Sequence, residues 1–126
     1  MTSVLDSSAL LAVLFDEAGA DVVADTIAEG ASVSAVNWAE TATVLVRQRR
    51  DPEPVMTRLG RQIEVVSLSL GLALGVAAIY ARTRSARLSL GDRACLALAR
   101  DLSVPAVIAD RAWADLDLDV AVRVIR

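Results

Sequence analysis

The chain has 126 residues, the length of one domain, and combines a net charge of −3 with 55% hydrophobic but only 3% aromatic residues. This composition excludes a disordered chain and predicts a core built mainly from Ala, Val and Leu. The acidic balance argues against a protein that coats polyanions through its overall charge. The single cysteine, Cys95, excludes an internal disulfide and a CxxC metal site, so a reducing cytoplasm is the expected compartment.

The first half of the chain alternates short apolar runs with helical patterns. The apolar run at residues 3–5 predicts a buried strand, and Ser7 and Ser8 can cap the helix that follows it. The predicted helices lie at residues 9–17, 20–28, 34–50 and 55–61, and the further predicted strands at residues 31–33 and 63–66. Ser34 is the residue expected to open the long helix, and the Asp-Pro pair at residues 51–52 is expected to stop it.

The second half continues the same alternation. It predicts helices at residues 70–84 and 92–102, joined by a connection at residues 85–91, and strands at residues 104–109 and 120–125, the last at a sheet edge. The pattern predicts an α/β fold around a mainly parallel sheet, formed as one domain over residues 1–126.

The uncharged stretch at residues 65–81 is at the lower limit of a membrane-spanning length. Because it contains serines and glycines, we interpret it as a buried strand followed by a packed helix, with no membrane contact. The first residues lack a basic region followed by a long apolar run, so no secretory signal is expected.

Four acidic residues lie where a predicted strand or loop meets a helix: Asp6, Glu40, Asp92 and Asp110. The chain has no His and no Lys, so carboxylates would have to perform nearly all of any chemistry. A cluster of carboxylates is tolerable when it binds a hard cation such as Mg²⁺ or Mn²⁺. Such a cluster indicates metal-assisted attack on phosphate esters.

Two of these acids directly follow predicted strands, which places Asp6 and Asp110 at the edge of the sheet where ligands bind. They would be near neighbours if their strands were adjacent or one apart, because strands lie about 4.8 Å apart. Asp6 could also cap a helix, but the two serines that follow it could do so equally well.

The other acids have structural alternatives as well. Glu40 has the spacing of a capping box with Asn37, although a helix that begins at Ser34 would place Glu40 more than one turn inside it. Asp92 has the same spacing from Ser89, and an acid in a first helical turn suits the helix dipole.

The region after the last apolar strand is less clear. Asp110 could be a turn residue, and Asp115, Asp117 and Asp119 alternate with apolar residues like a solvated edge. Asp115 is kept as a further candidate for the site.

The segments VLDSSALLAVL, VSAVNWAETATVLVR, LSLGDRACLALA and VIADRAWADL resemble, in order and spacing, the four acidic motifs of the PIN domain. They look closest to the VapC toxins of bacterial VapBC toxin–antitoxin pairs, over a stretch from Val4 to about Leu116. The resemblance implies a three-layer α/β/α fold with a mainly parallel sheet of about five strands. It also implies an Mg²⁺- or Mn²⁺-dependent endoribonuclease that cuts structured RNA such as tRNA or ribosomal RNA, a cognate VapB-type antitoxin, and a homodimer.

The resemblance assigns the site residue by residue. Asp6, Glu40 and Asp92 match the first three family acids, which implies that they bind metal and take part in catalysis. Ser8 matches a small hydroxyl residue after the first acid, and Asn37 matches a polar position one turn before the second.

The fourth motif departs from the family pattern. Many members carry Asn at the first position of this motif and Asp three residues later, whereas this chain has Asp110 and then Trp113. Asp110 is the predicted fourth acid, and Asp115 remains the alternative.

All 13 basic residues are arginines, whose planar side chains suit phosphate binding. A codon bias towards arginine would explain this equally well. The arginines around the third and fourth motifs could hold RNA phosphates or could be solvated helix-end residues: Arg82, Arg84, Arg87, Arg93 and Arg111.

Other protein classes fit less well. A receiver domain needs a lysine, and a haloacid-dehalogenase-type phosphatase needs an aspartate where this chain has Ser8. The remaining alternative is a PIN-like module with weak catalysis that mainly binds an antitoxin or RNA.

Overall fold

Five short strands form one sheet at the centre of the computed structural model, which describes residues 3–126. The strands are β1 (Ser3–Leu5), β2 (Ala31–Ser34), β3 (Glu64–Val66), β4 (Ala106–Ile108) and β5 (Val122–Val124). Their order is β3-β2-β1-β4-β5, and every neighbouring pair is parallel. The predicted parallel sheet of about five strands is confirmed. Met1 and Thr2, which belong to the predicted domain, lie outside the described residues.

Helices cover both faces of this sheet. They are α1 (Ser7–Leu14), α2 (Ala20–Glu29), α3 (Ala35–Arg47), α4 (Pro52–Leu59), α5 (Leu70–Thr83) and α6 (Leu90–Leu102), with 3₁₀ turns at Arg84–Ala86 and Arg111–Asp115. Successive strand residues face opposite sides, so Val4 packs in a cluster with α5 and α6, whereas Leu5 packs in a cluster with α1 and α2. These two clusters make the three-layer α/β/α architecture.

Capping residues explain where several helices begin. The side chains of Ser34, Ser69 and Ser89 accept hydrogen bonds from the first turns of α3, α5 and α6, as small hydroxyl residues do at N-caps. The prediction that Ser34 opens the long helix is confirmed. Helix α4 begins earlier than expected because Asp51 caps it and Pro52, which lacks an N–H, occupies its first position.

The strand predicted before α5 is present, but the prediction that it is buried is wrong. Strand β3 lies at the edge of the sheet, and Glu64 and Val65 are exposed. The segment was predicted to be buried because it is hydrophobic, but β3 is the last strand of the sheet on its side and therefore lies outside the core. None of the helices formed by residues 3–126 has the length and apolarity needed to cross a bilayer.

The sheet order determines what lies at its functional edge. Strands β1 and β4 are adjacent, with Leu5 beside Val107, so the chain leaves both strands at the same edge. Asp6 follows β1 directly, and Asp110 follows β4 after one intervening residue. The strands that precede Asp6 and Asp110 are therefore adjacent, which is the condition under which these two acids were expected to be near neighbours.

Candidate active site

Asp6 joins the central strand β1 to helix α1. Its backbone N–H donates to the carbonyl of Val107 at 3.0 Å, so the sheet fixes its position. Its Oδ2 accepts hydrogen bonds from the N–H of Ser8 at 3.1 Å and from the hydroxyl of Ser8 at 2.7 Å. Asp6 is therefore the N-cap of α1, one of the two possibilities that the sequence left open.

The pKa of Asp6 is raised from 3.8 to about 6. Burial is the main cause, because only 5% of the residue is exposed and the charged form is poorly solvated there. The hydrogen bonds from Ser8 lower the pKa, while the negative charges of Asp92 and Glu40 raise it. Two other predicted site acids therefore lie close enough to Asp6 to affect its pKa.

Ser8 connects this cap to the neighbouring strand. While its hydroxyl donates to Asp6, its Oγ accepts a hydrogen bond from the N–H of Ala109 at 3.0 Å. Ala109 directly follows β4 and precedes Asp110. Ser8 therefore ties the first and fourth acidic motifs together.

A fully buried amide, that of Asn37, lies at the centre of the site. Its Nδ2 has four oxygen acceptors between 3.0 and 3.3 Å: Asp6 Oδ1, Ser7 Oγ, Glu40 Oε1 and the carbonyl of Gly91. An amide nitrogen carries only two hydrogens, so these acceptors share the available donors. The hydroxyl of Ser34 donates to the amide oxygen of Asn37, which fixes the orientation of the amide.

Glu40 lies in the second turn of α3 and points towards α6. Its Oε1 accepts hydrogen bonds from the hydroxyl of Ser7 at 2.6 Å and from the amide of Asn37 at 3.1 Å. A Cβ atom added at Gly91 would overlap the Glu40 carboxylate. The absence of a side chain at Gly91 therefore allows Glu40 to approach the beginning of α6.

Ser7 and Gly91 are site residues that the sequence reasoning missed. Ser7 was considered only as a cap, and Gly91 was treated as part of a connection. Gly91 offered one signal, because glycine is unfavourable in a helix and its presence there needs a local reason. Ser7 had no comparable signal, since serine is common at the start of any helix.

Asp92 is the third residue of α6 and forms a capping box with Ser89. Its Oδ2 accepts from the N–H of Ser89 at 2.9 Å, and its own N–H donates to the hydroxyl of Ser89 at 3.1 Å. Burial raises the pKa of Asp92, and the charges of Glu40 and Asp110 raise it further, while the bonds to Ser89 lower it. The residue thus has the predicted structural function and also belongs to the acidic cluster.

The two candidates for the fourth acid differ in their surroundings. Asp110 is exposed, but its charge contributes to the raised pKa of Asp92. Asp115 is exposed at the end of the second 3₁₀ turn, and it is not among the charges that raise the pKa of Asp92. Trp113, which stands at the family's later position, is buried in the core. These surroundings favour Asp110.

A family model describing the PIN domain matches residues 3–118 of the chain. The chain belongs to the PIN domain family. The resemblance inferred from the four acidic segments is thereby confirmed. No curated protein sequence matches the chain.

Solved structures with the same fold include VapC and VapBC proteins. The VapBC2 complex from Rickettsia felis, bound to a promoter DNA fragment, matches with a TM-score of 0.79 at 8% identity, covering 97% of both chains. DNA-bound VapBC from Salmonella typhimurium matches with a TM-score of 0.78 at 12% identity, covering 100% of this chain and 99% of the other. Mycobacterium tuberculosis VapC20, described as a sarcin-ricin loop cleaving toxin, matches with a TM-score of 0.74 at 18% identity, covering 95% and 99%.

The acids of this PIN domain fit a divalent cation by their chemistry but do not enclose one. Their oxygen atoms are the ligands that Mg²⁺ and Mn²⁺ prefer, and no arginine within residues 3–126 forms an ion pair with Asp6, Glu40 or Asp92. Over the same residues, no group of three acidic, His or Cys side chains is arranged closely enough to hold a metal ion. The oxygen ligands are therefore suitable for Mg²⁺ or Mn²⁺, but the carboxylates would have to move closer together to bind the ion.

The predicted RNA-binding arginines do not share one environment. Arg84, Arg87 and Arg93 line a common cavity beside α6. Arg82 instead contacts the segment before β5: it donates to the carbonyl of Asp117 at 2.8 Å and lies 3.5 Å from the carboxylate of Asp119. Arg111 is exposed in the second 3₁₀ turn, next to Asp110.

Proposed function

We propose that this PIN domain is a metal-dependent endoribonuclease, the toxin of a type II toxin–antitoxin pair, which cuts structured RNA such as tRNA or ribosomal RNA. The observation that carries the proposal is the meeting of Asp6 and Glu40 at the buried amide of Asn37. The charge of Glu40, which raises the pKa values of both Asp6 and Asp92, adds to it. Carboxylates gathered without neutralising cations are poorly explained by stability alone, because like charges repel.

In this proposal the four acids Asp6, Glu40, Asp92 and Asp110 would hold Mg²⁺ or Mn²⁺, with Glu40 completing the set or orienting water. When bound, the ion would lower the pKa of water and offset negative charge on the scissile phosphate.

The chain's own residues determine where the acids point. Ser8 holds one carboxylate oxygen of Asp6, so the other oxygen remains directed towards Asn37. Ser7 and Asn37 together hold Oε1 of Glu40. With no His or Lys in the chain, a proton moved during hydrolysis would pass between water and these carboxylates.

A VapB-type antitoxin is the proposed protein partner. Solved relatives in fold are VapBC complexes, and two of them are described as bound to DNA. A cavity of about 420 Å³ between α1 and α3 has a mixed lining of apolar and polar side chains: Ser7, Leu11, Val36, Ala39, Glu40, Thr43, Val44 and Arg47. A partner segment in this cavity would contact the acidic site directly.

We also propose that the protein forms a homodimer. Leu70 and Leu74, one turn apart on α5, are 90% and 73% exposed, and Leu68 is exposed nearby in the chain. Contact with a second copy would remove this apolar surface from water. The cytoplasm remains the proposed compartment, and the buried Cys95 is a free thiol.

One observation favours the second candidate function, a PIN-like module that binds an antitoxin or RNA but cleaves weakly. Among residues 3–126 the acids are not arranged as a ready metal site. If they cannot draw together around an ion, the fold and its surfaces would still support binding.

Cleavage of total cellular RNA by the purified protein tests the proposal, with Mg²⁺, with Mn²⁺ and with EDTA. The Asp6→Asn variant removes a buried site carboxylate, and the Asp25→Asn variant removes an equal charge from an exposed position on α2. We expect discrete fragments from the unmodified protein and from Asp25→Asn, only with metal, and none from Asp6→Asn. Equal cleavage by all three proteins would show that the site assignment is wrong. A folded, metal-supplied protein that cleaves nothing would favour the binding module.

A further inference from the structure

A cavity of about 320 Å³ lies beside the beginning of α6, and its lining is rich in arginine. It is formed by Tyr80, Thr83, Arg84, Arg87, Leu88 and Arg93. These residues provide three guanidinium groups and no carboxylate. We propose that this cavity binds a phosphodiester group of a single-stranded RNA segment next to the one held at the acids. The inference rests on the proposed function and extends it from the reacting phosphate to the substrate strand.

The arginines of this cavity differ from others on the same surface because their charges are not neutralised. Arg82 and Arg100 both form ion pairs with Asp119, at 3.5 and 3.6 Å. No acidic side chain within the described part of the chain pairs with any of the three cavity arginines. Unpaired guanidinium groups that converge on one cavity attract an anion, and their planar donors suit phosphate oxygens.

Arg93 is held in place by an aromatic ring. Its guanidinium carbon lies 5.3 Å from the centroid of the Tyr80 ring, and its Nη1 donates to the carbonyl of Val76 across a long 3.4 Å. Its Nε is buried and has no hydrogen-bond partner in the region that the structure describes. Stacking thus orients the side chain, so the guanidinium group is already positioned at the wall of the cavity.

The backbone brings the other two arginines to the same cavity. Arg84 begins the 3₁₀ turn that ends at Ala86, and Arg87 follows it in the left-handed region with a φ of 54°. The N–H of Arg87 donates to the carbonyl of Arg84, which closes the turn, and both residues line the cavity. Residues with a side chain adopt this backbone conformation only at an energetic cost, so the surrounding fold must hold it in place.

The position of the cavity favours RNA over a free anion. Arg93 directly follows Asp92, and adjacent Cα atoms are about 3.8 Å apart, so the cavity begins beside the acidic cluster. Tyr80 is 53% exposed, and its ring offers a surface on which a base could stack. A strand crossing the acids would therefore meet positive charge and an aromatic ring at its next position.

The test measures binding of a mixed-sequence single-stranded RNA oligonucleotide to the Asp6→Asn protein in EDTA, where cleavage cannot occur. Arg84→Gln and Arg87→Gln are the test variants, because both side chains are exposed and their loss leaves the core intact. Arg58→Gln and Arg61→Gln are matched controls, because those arginines line another cavity that also contains Asp51 and Glu53.

We expect each test variant to weaken binding about 3- to 10-fold. Each should also reduce the slope of log K against log salt by about 0.7, the value for one lost phosphate contact on a single strand. The controls should keep both the affinity and the slope. Unchanged binding by the test variants, or an equal loss in the controls, would overturn the proposal. Displacement of the RNA by inorganic phosphate at comparable concentration would also overturn it, because it would indicate a site for a small anion.

Failure of this inference can be distinguished from failure of the proposed function. The unmodified protein could cleave RNA with metal while both test variants bind RNA as well as before. This result would contradict the assignment of the cavity and support the proposed nuclease activity. Arginine-dependent binding together with no cleavage would support the cavity and contradict the nuclease.

Discussion

Nδ2 of Asn37 lies 3.3 Å from Oδ1 of Asp6, a residue 31 positions earlier in the chain. The same nitrogen also lies 3.1 Å from Oε1 of Glu40. A neutral amide thus supplies hydrogens between two carboxylates that would otherwise face each other. The site tolerates its acids partly because Asn37 separates them, and this arrangement leads to the first prediction.

Replacement of Asn37 by Asp should destabilise the protein strongly at neutral and alkaline pH. The change has almost no effect on shape, but it removes a donor shared by four acceptors and adds a buried carboxylate next to two others. We expect the free energy of unfolding, measured with urea in EDTA at pH 8, to fall by about 2–4 kcal/mol. The loss should become smaller at pH 5, where the carboxylates take up protons.

The Gln62→Glu variant is the control for this amide-to-carboxylate change, because Gln62 is exposed. It should alter the free energy of unfolding by less than about 0.5 kcal/mol. An Asn37→Asp protein as stable as this control at pH 8 would show that the amide does not separate the acids.

The Asp6→Asn variant should be more stable than the unmodified protein above pH 6 when metal is absent. Because the pKa of Asp6 is raised from 3.8 to about 6, the folded state binds its proton more tightly than the unfolded state does. The stabilisation from this proton is complete below about pH 4 and is lost as the pH rises through about 6. A shift of this size corresponds to about 3 kcal/mol.

Asn cannot ionise, so it avoids this loss, although the long bond from Asn37 to Oδ1 of residue 6 is also disturbed. We therefore expect a net gain of about 1–2 kcal/mol at pH 8, and none at pH 4. Urea unfolding in EDTA across this pH range gives the measurement. Parallel stability curves for the two proteins would mean that Asp6 titrates normally.

Divalent metal should stabilise the unmodified protein, and more strongly at pH 8 than at pH 5. Ion binding requires deprotonated carboxylates, and the pKa values of Asp6 and Asp92 are both raised. At a Mn²⁺ concentration about 100-fold above the dissociation constant, the expected stabilisation is about 2.7 kcal/mol. Thermal unfolding with Mn²⁺ and with EDTA measures it.

The Asp6→Asn protein should lose most of this metal effect, whereas Asp25→Asn, which removes an exposed acid, should retain it. A metal effect of the same size in all three proteins would indicate binding elsewhere on the surface.

Replacement of Gly91 by Ala should reduce cleavage while hardly changing stability. The added methyl group would overlap the carboxylate of Glu40 and push this flexible side chain away from Ser7 and Asn37. A displacement of about 1 Å in a catalytic group can reduce the rate roughly 10- to 100-fold. The gain in helix propensity, about 1 kcal/mol, should nearly offset the lost hydrogen bonds.

Gly71 provides a close control, because it also follows a Ser-Leu pair at the start of a helix and a Cβ there would have nothing within 4 Å. Gly71→Ala should raise the free energy of unfolding by up to about 1 kcal/mol and leave RNA cleavage unchanged. If both variants cleaved equally well, the approach of Glu40 to α6 would have no importance for activity.

The sequence predicted the fold and the position of two acids, but it could not predict the different surroundings of Gly71 and Gly91. The alternation of apolar runs and helical patterns predicted the strands, and the strand ends predicted where Asp6 and Asp110 would lie. The two Ser-Leu-Gly segments look alike in sequence, and only the packing of α3 against α6 places a carboxylate beside one of them.

The exposed edge strand was missed for a similar reason. Val65 and Val66 have the hydrophobic character of a buried strand, but burial depends on how many neighbours a strand has in the sheet. Strand order arises from long-range pairing, which local patterns do not encode. The assignment of the four acids to metal binding and catalysis remains a prediction.

The position of β1 in the middle of the sheet has a consequence for biosynthesis. Asp6 and Ser8 are translated about a hundred residues before the carbonyl of Val107 and the N–H of Ala109 that fix them. At about 5–20 residues per second, a ribosome needs on the order of ten seconds to go from Asp6 to β4. A nascent chain therefore carries Asp6 for that time without the strand that holds it, and a prematurely terminated chain that ends before β4 cannot assemble the site.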